Sequence, residues 1–203
     1  DIAGKPLYHH ILNTLKNCPE ITDIVVDTDS VVIMDGLRKD FPEVIIIERP
    51  PELRADEISM NDVLLHDTGL VKADIYLQTH STNPLLKSAT ISNAVKQFID
   101  KQNTYDSLFS VTRMQSRLWD EHTQPVNHDP DILLQTQDLP PIFEENSCIY
   151  IFTAEKLRKR NNRIGEKPLM VEIPPAEALD IDEESDFMIA ESILKNQNKS
   201  KLV

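Results

Sequence analysis

The sequence predicts an α/β fold, a mostly parallel sheet covered by helices on both faces. Three observations predict it. Short apolar runs alternate with segments of helical periodicity from the start of the chain to about residue 112. The runs are apolar without the polar alternation of a half-exposed strand, as expected of strands buried on both sides. Each run ends in polar residues, and open α/β sheets gather their ligands at the carboxyl ends of their strands.

The elements follow in order. Gly4-Lys5-Pro6 opens a helix over Pro6 to Asn17, with Leu7, Ile11, Leu12 and Leu15 on one face. A proline near the first turn suits a helix start, where its missing N–H is not needed. Thr22 to Val26 reads as a buried strand ending in Asp27-Thr28-Asp29, and Ser30 to Lys39 as the next helix. Val44 to Ile47 is a second strand, and Ser59 caps a helix that reaches about Leu70. Asp74 to Gln78 is a third strand, ending in the polar loop Thr79 to Asn83. Lys87 to Asp100 is a helix, and Ser107 to Thr112 a fourth strand.

Beyond Thr112 the pattern changes. Met114 to Pro141 carries Trp119, four prolines and two histidines without periodicity, and suits hairpins that cover a site or meet a second subunit. Ser147 to Phe152 is a strand, Thr153 to Lys159 a short helix, and Met170 to Ile173 a last strand. Asp182 to Leu194 closes the fold as a helix, and 196–203 reads as a frayed polar tail.

Composition narrows the function classes. The 203 residues are 40% hydrophobic and 27% charged, which fits a packed core rather than disorder. No apolar run approaches the roughly 20 residues needed to span a membrane, and no secretory signal opens the chain. A net charge of −13 excludes coating of nucleic acid, which needs clustered cations. Cys18 and Cys148 lie apart from each other and from any histidine cluster, so a zinc site is not expected, and a reduced cytoplasmic protein is.

Four segments carry candidate chemistry. Asp27 and Asp29 at a strand end suit a metal or a ribose, or form an ordinary acidic turn. Gln78 to Asn83, including Thr82, sets six polar residues at a strand's carboxyl end, fit for hydrogen bonds to a base, ribose or sugar, or for a plain strand-to-helix loop. Gln137 to Asn146 is a loop fixed by Pro140-Pro141, and Asn146 offers both a donor and an acceptor. Asp180 and Asp182 stand two apart on an extended segment, so both can point to one side, as Mg²⁺ with its hard-oxygen preference requires. Helix capping is the alternative, and it accounts for Asp182 but not for Asp180.

Together these blocks resemble the acylneuraminate cytidylyltransferase family, the CMP-sialic acid synthetases and their relatives. Five segments match in order and spacing: Ile2 to Leu7; Val26 to Asp29; Glu48-Arg49-Pro50 through Leu53 and Asp56; Gln137 to Asn146 with Ile149-Tyr150; and Asp180-Ile181-Asp182 with Asp186. The resemblance implies a Rossmann-like nucleotide-diphospho-sugar transferase fold. It implies transfer of CMP from CTP to a sialic-acid-like or other keto-sugar acid with release of pyrophosphate, and a homodimer whose extension, about 114–145, reaches the partner's site. On it, Asp180 and Asp182 are catalytic and hold Mg²⁺. Gln78 and Thr82 fall on the strand-end substrate loop and Asn146 on the sugar-side loop. The expected site turns Asp27, Asp29 and Gln78 to the nucleotide and Thr82, Asn83, Gln137 and Asn146 to the sugar, with the acids and three strand tips converging on one pocket.

The sequence departs from the family in ways that bear on activity. The family's basic nucleotide loop and the strand before it belong ahead of Ile2, so 1–203 is expected to be a single domain lacking both. Leu86 stands where an arginine is usual, Gln135 and Thr136 where basic residues are usual, and Ser147 where a glycine is usual. The lost cations leave a sugar acid's carboxylate without an obvious partner. The alternatives are a non-catalytic nucleotide- or sugar-binding relative, or a nucleotidyltransferase for another nucleotide or sugar.

Overall fold

The structure, a computed structural model, describes residues 1–200. The chain begins with a tight turn in which Ile2 and Lys5 exchange backbone hydrogen bonds (2.8 and 3.1 Å). Ala3 and Gly4 both sit at positive φ, 49° and 81°, the conformation such a turn requires and that glycine adopts without strain. Helix α1 (Leu7–Lys16) follows with Pro6 at its N-cap. Strand β1 (Val25–Thr28) leads through α2 (Val31–Asp40) to β2 (Ile45–Glu48), which pairs with β1 in parallel register. The first strand thus starts three residues later than expected and takes in Asp27 and Thr28. Those two pair with Ile47 and Glu48, while Thr22 and Asp23 are exposed.

Side-chain caps set the helix starts that the sequence announces. Ser30 accepts from the Ile33 amide at α2, and Ser59 from the Asp62 amide at α3 (Met60–Leu70). Thr153 does the same for the Lys156 amide at α5 (Ala154–Arg160). Between them run β3 (Tyr76–Gln78), α4 (Ser88–Lys101), β4 (Ser107–Met114) and β5 (Ile142–Phe152). Strand β6 (Pro168–Glu172) and helix α6 (Glu184–Ser200) complete the chain. Of the expected tail, 196–200 continues α6, and 201–203 lies outside the described residues.

The larger sheet has the order β3-β5-β4-β6. Strands β4 and β6 are parallel, whereas β5 runs antiparallel to both β3 and β4. It is also longer than the expected Ser147 to Phe152, starting at Ile142, with a register irregularity between Phe109 and Val111 opposite it. Alternation along β5 divides the core: Ile149 and Ile151 join Leu86, Ile91, Phe98 and α1 on one face, and Tyr150 and Phe152 join Leu64 and Leu157 on the other. All four β5 residues are fully buried. Helices therefore cover both faces, α1 and α4 on one, α3 and α5 on the other. Ile2 and Leu85 pack against Ala190 and Leu194, which seats α6 beside the first turn.

Candidate active site

Two cavities, rather than the single expected pocket, take up the polar strand ends. The first is a cleft of about 530 Å³ between β1 and β3, whose facing edges are unpaired. Its walls are apolar, with Leu12, Ile24, Val26, Leu64 and Leu77 among them, and Asp27, Gln78 and His80 line it as well. The second, about 500 Å³, is lined by Thr112, by Glu144 to Ser147, and by Asp180 and Asp182.

Asp180 and Asp182 share the second cavity because the backbone between them is pinned. The Ile181 amide donates to the Thr82 carbonyl (3.0 Å), and the fully buried Asn83 donates from Nδ2 to the Leu179 carbonyl (3.4 Å). Thr82 and Asn83 thus hold the acid-bearing segment, each through the backbone of its partner. The expected cap at Asp182 is not formed: α6 starts at Glu184, and the Asp186 carboxylate accepts from the amides of Asp182 (3.3 Å) and Glu183 (3.0 Å). Capping therefore accounts for neither side chain of the acid pair. Asp180 Oδ1 is buried and has no hydrogen-bond partner. Four carboxylates line this cavity and no Lys, Arg or His does. A buried, unpaired carboxylate oxygen among hard oxygen donors fits Mg²⁺ and disfavours a bare anion.

Asn146 stands on the cavity wall with both its amide oxygen and its amide nitrogen held by the protein. Its Oδ1 accepts from Ser110 Oγ (2.6 Å) and from the Cys148 amide (3.3 Å), and its Nδ2 donates to Thr112 Oγ1 (3.0 Å). Ser147 beside it adopts φ 57°, the left-handed region, which gives a physical reason for the glycine usual at this position. Burial, with the charges of Asp180 and Glu177, pushes the Cys148 thiol up to about 12, so it is inert.

At the end of β1, Asp27 is 7% exposed and pairs through Oδ1 with Arg49 Nε, while its Oδ2 has no partner. Asp67 faces it, and carboxylate and imidazole atoms of Asp27, His66 and Asp67 lie within 4.8 Å of one another. Burial, helped by the charge of Asp27 and opposed by His66, raises the Asp67 carboxyl to about 6. Asp29 is exposed and lines neither cavity. Nor does Gln137, which is exposed on the short 3₁₀ turn Thr136–Asp138, where Gln115 donates to its carbonyl (3.2 Å).

Gln78 anchors a network that sequence reasoning left incomplete. Its Nε2 meets His80 Nε2 at 2.8 Å, and its Oε1 accepts from Arg163 Nη1 at 2.5 Å. The Arg163 guanidinium lies 3.5 Å from the centre of the Tyr150 ring, and the Tyr150 hydroxyl donates to Glu145. Burial and the Arg163 charge keep His80 below its usual pKa, while the charge of Asp180 acts the other way. Arg163 follows the basic run Arg158-Lys159-Arg160, so nothing in its spacing sets it apart from a helix end. Only the return of the chain after α5 brings it to the tip of β3.

A family model described as Cytidylyltransferase matches residues 1–199. An N-acylneuraminate cytidylyltransferase A from Danio rerio is 27% identical over 203 residues, covering 94% of this chain and 45% of the relative. Post-translational flagellin modification protein B from Campylobacter coli is 26% identical over 194 residues, covering 90% and 81% respectively. The chain thus spans less than half the length of the first of these relatives and most of the second. Among solved structures, a CMP:2-keto-3-deoxy-manno-octonic acid synthetase complexed with CTP superposes with a TM-score of 0.64 at 14% identity, covering 97% of this chain and 90% of that one. At that identity the likeness shows a shared α/β fold.

Proposed function

The chain belongs to the cytidylyltransferase family, and from that membership we propose that it transfers CMP from CTP to a sialic-acid-like or other keto-sugar acid, releasing pyrophosphate. One observation carries the reading furthest: Asp180 and Asp182 line one cavity with Asn146, and Asp180 Oδ1 is buried there without a partner. On this reading the acid pair holds Mg²⁺, which when bound supplies positive charge against the negative charge growing on the phosphate oxygens. The chain's own groups do the rest. The Thr82 carbonyl fixes the acid-bearing backbone, Asn146 presents a rigid wall to the sugar, and Gln78 lines the cleft while holding Arg163. Catalysis then rests on positioning and electrostatics, since little covalent chemistry falls to the protein.

Two further parts belong to the proposal. A strand with a nucleotide loop fills the space between β1 and β3. Support comes from the two unpaired edges, the apolar walls, and the buried, partnerless Asp27 Oδ2 and Thr79 Oγ1 at the polar end. The region 114–145 pairs with a second copy of the chain, supported by the exposure of Leu133 (89%) and of Ile132, Val126 and Trp119 nearby in sequence. Two free, buried cysteines suit a reducing cytoplasm. Among the described residues no helix is long and apolar enough to cross a membrane.

The test is pyrophosphate release from CTP and Mg²⁺ with N-acylneuraminate and 2-keto-3-deoxy-manno-octonic acid, using the protein in its full reading frame. Turnover that chelation abolishes, and that Asp180→Asn lowers by about 10²-fold or more, is expected. Absence of turnover with every acid and nucleotide tried defeats the reading. Full activity of Asp180→Asn defeats the assignment of the acid pair.

A further inference from the structure

Resting on this reading, we infer that Arg163 grips the carboxylate of the acceptor sugar acid, in place of the cations this sequence lacks at Leu86, Gln135 and Thr136. Arg163 is half-buried, yet none of the ion pairs among the described residues involves it. Of the other cations near the strand tips, Arg49 is neutralised by Asp27 and Lys87 by Glu177, whereas Arg113 at the end of β4 is exposed rather than half-buried. A partly desolvated guanidinium without an acid beside it is a standing site for an anion, and its fork of donors matches a carboxylate in two-bond geometry.

The pose of Arg163 is fixed in advance. Its backbone amide donates to Asn61 Oδ1 (3.0 Å), Nη1 donates to Gln78 (2.5 Å), and the Tyr150 ring lies under the guanidinium at 3.5 Å. Gln78 takes up one nitrogen and leaves other donors of the fork for a ligand. The position also suits the chemistry. Gln78, which joins Arg163 to His80, lines the polar end of the first cleft together with that histidine. In a 2-keto sugar acid the carboxylate is bonded to the anomeric carbon itself. Clamping the carboxylate beside Gln78 therefore holds the attacking hydroxyl one carbon away from the gripped group.

The experiment compares wild type, Arg163→Gln and Arg163→Lys in the full reading frame, by kinetics and by calorimetric binding. The probes are N-acetylneuraminic acid, 2-keto-3-deoxy-manno-octonic acid, and the amide of the former. Arg163→Gln is expected to weaken binding of both acids, and raise their KM, by about tenfold to a hundredfold. Binding of the amide and the KM for CTP should change less than about threefold, and Arg163→Lys should fall between. Unchanged acid affinity in Arg163→Gln overturns the inference, as does a loss confined to CTP, which would make Arg163 a phosphate contact. So does a wild type that binds neither acid. Acid binding that depends on Arg163 without pyrophosphate release would sustain the inference and refute the activity. A melting temperature for Arg163→Gln close to wild type separates lost contact from lost fold.

Discussion

Asp67 shows how a single side chain records its surroundings. In the unfolded chain it titrates near its ordinary value of 3.8, and in the fold near 6. Between those values the folded state binds the extra proton, so the contribution of this group to stability is full below pH 4 and is lost as pH rises through 6. Asp27 and His66 face it, and Arg49 holds Asp27, so these groups set the size of the effect. Asp67→Asn should remove this contribution, so that the melting temperature of the variant relative to wild type is higher at pH 7.5 than at pH 4.5. A variant that keeps the wild-type slope would show that another group titrates. Residues of this kind were partly legible in the sequence. Asp27, Gln78, Asn146 and the acid pair stand at strand ends and chain turns that the pattern reveals. Asp67 and Arg163 sit inside or behind helices, and their partners come from segments up to 102 residues away, a distance over which spacing carries no signal.

Elements were legible where a cap or a period marks them. Ser30, Ser59 and Thr153 announce their helices, and each helix begins at the following residue. Strand direction is different. The 148–152 end of β5 is apolar on both faces whichever way it runs, so its antiparallel course leaves no trace in composition. A tie between elements can be tested directly. Glu177 is 3% exposed and accepts from the Lys87 amide (3.1 Å) and Thr90 Oγ1 (2.6 Å), fastening the segment after β6 to the start of α4. Glu177→Ala removes both bonds of a buried carboxylate to part-buried donors and should cost about 1–3 kcal/mol in urea unfolding. A change below a few tenths of a kcal/mol would mean that water replaces the carboxylate freely.

At the scale of the whole molecule, the parts proposed beyond the described fold make separate predictions. If 114–145 pairs two copies, Leu133→Lys should shift sedimentation toward the monomer, and a wild type that is monomeric at tens of micromolar removes the idea. If a strand fills the cleft, hydrogen exchange on the full reading frame should find the cleft-facing amides of β1 and β3 as protected as those of β4. Rapid exchange there would leave the cleft open to solvent. The α/β class and the layering of helices were legible because they follow from periodicity. The division into two cavities was not, because it depends on how far the two sheets stand apart.

The bond from the Ile181 amide to the Thr82 carbonyl has one more consequence. Because this link and the one from Asn83 to Leu179 end on main-chain atoms, the acids are held by backbone rather than by side-chain identity at 80–82. That loop is thus free to drift in sequence, retuning which acceptor is welcomed, while the reactive centre stays in register.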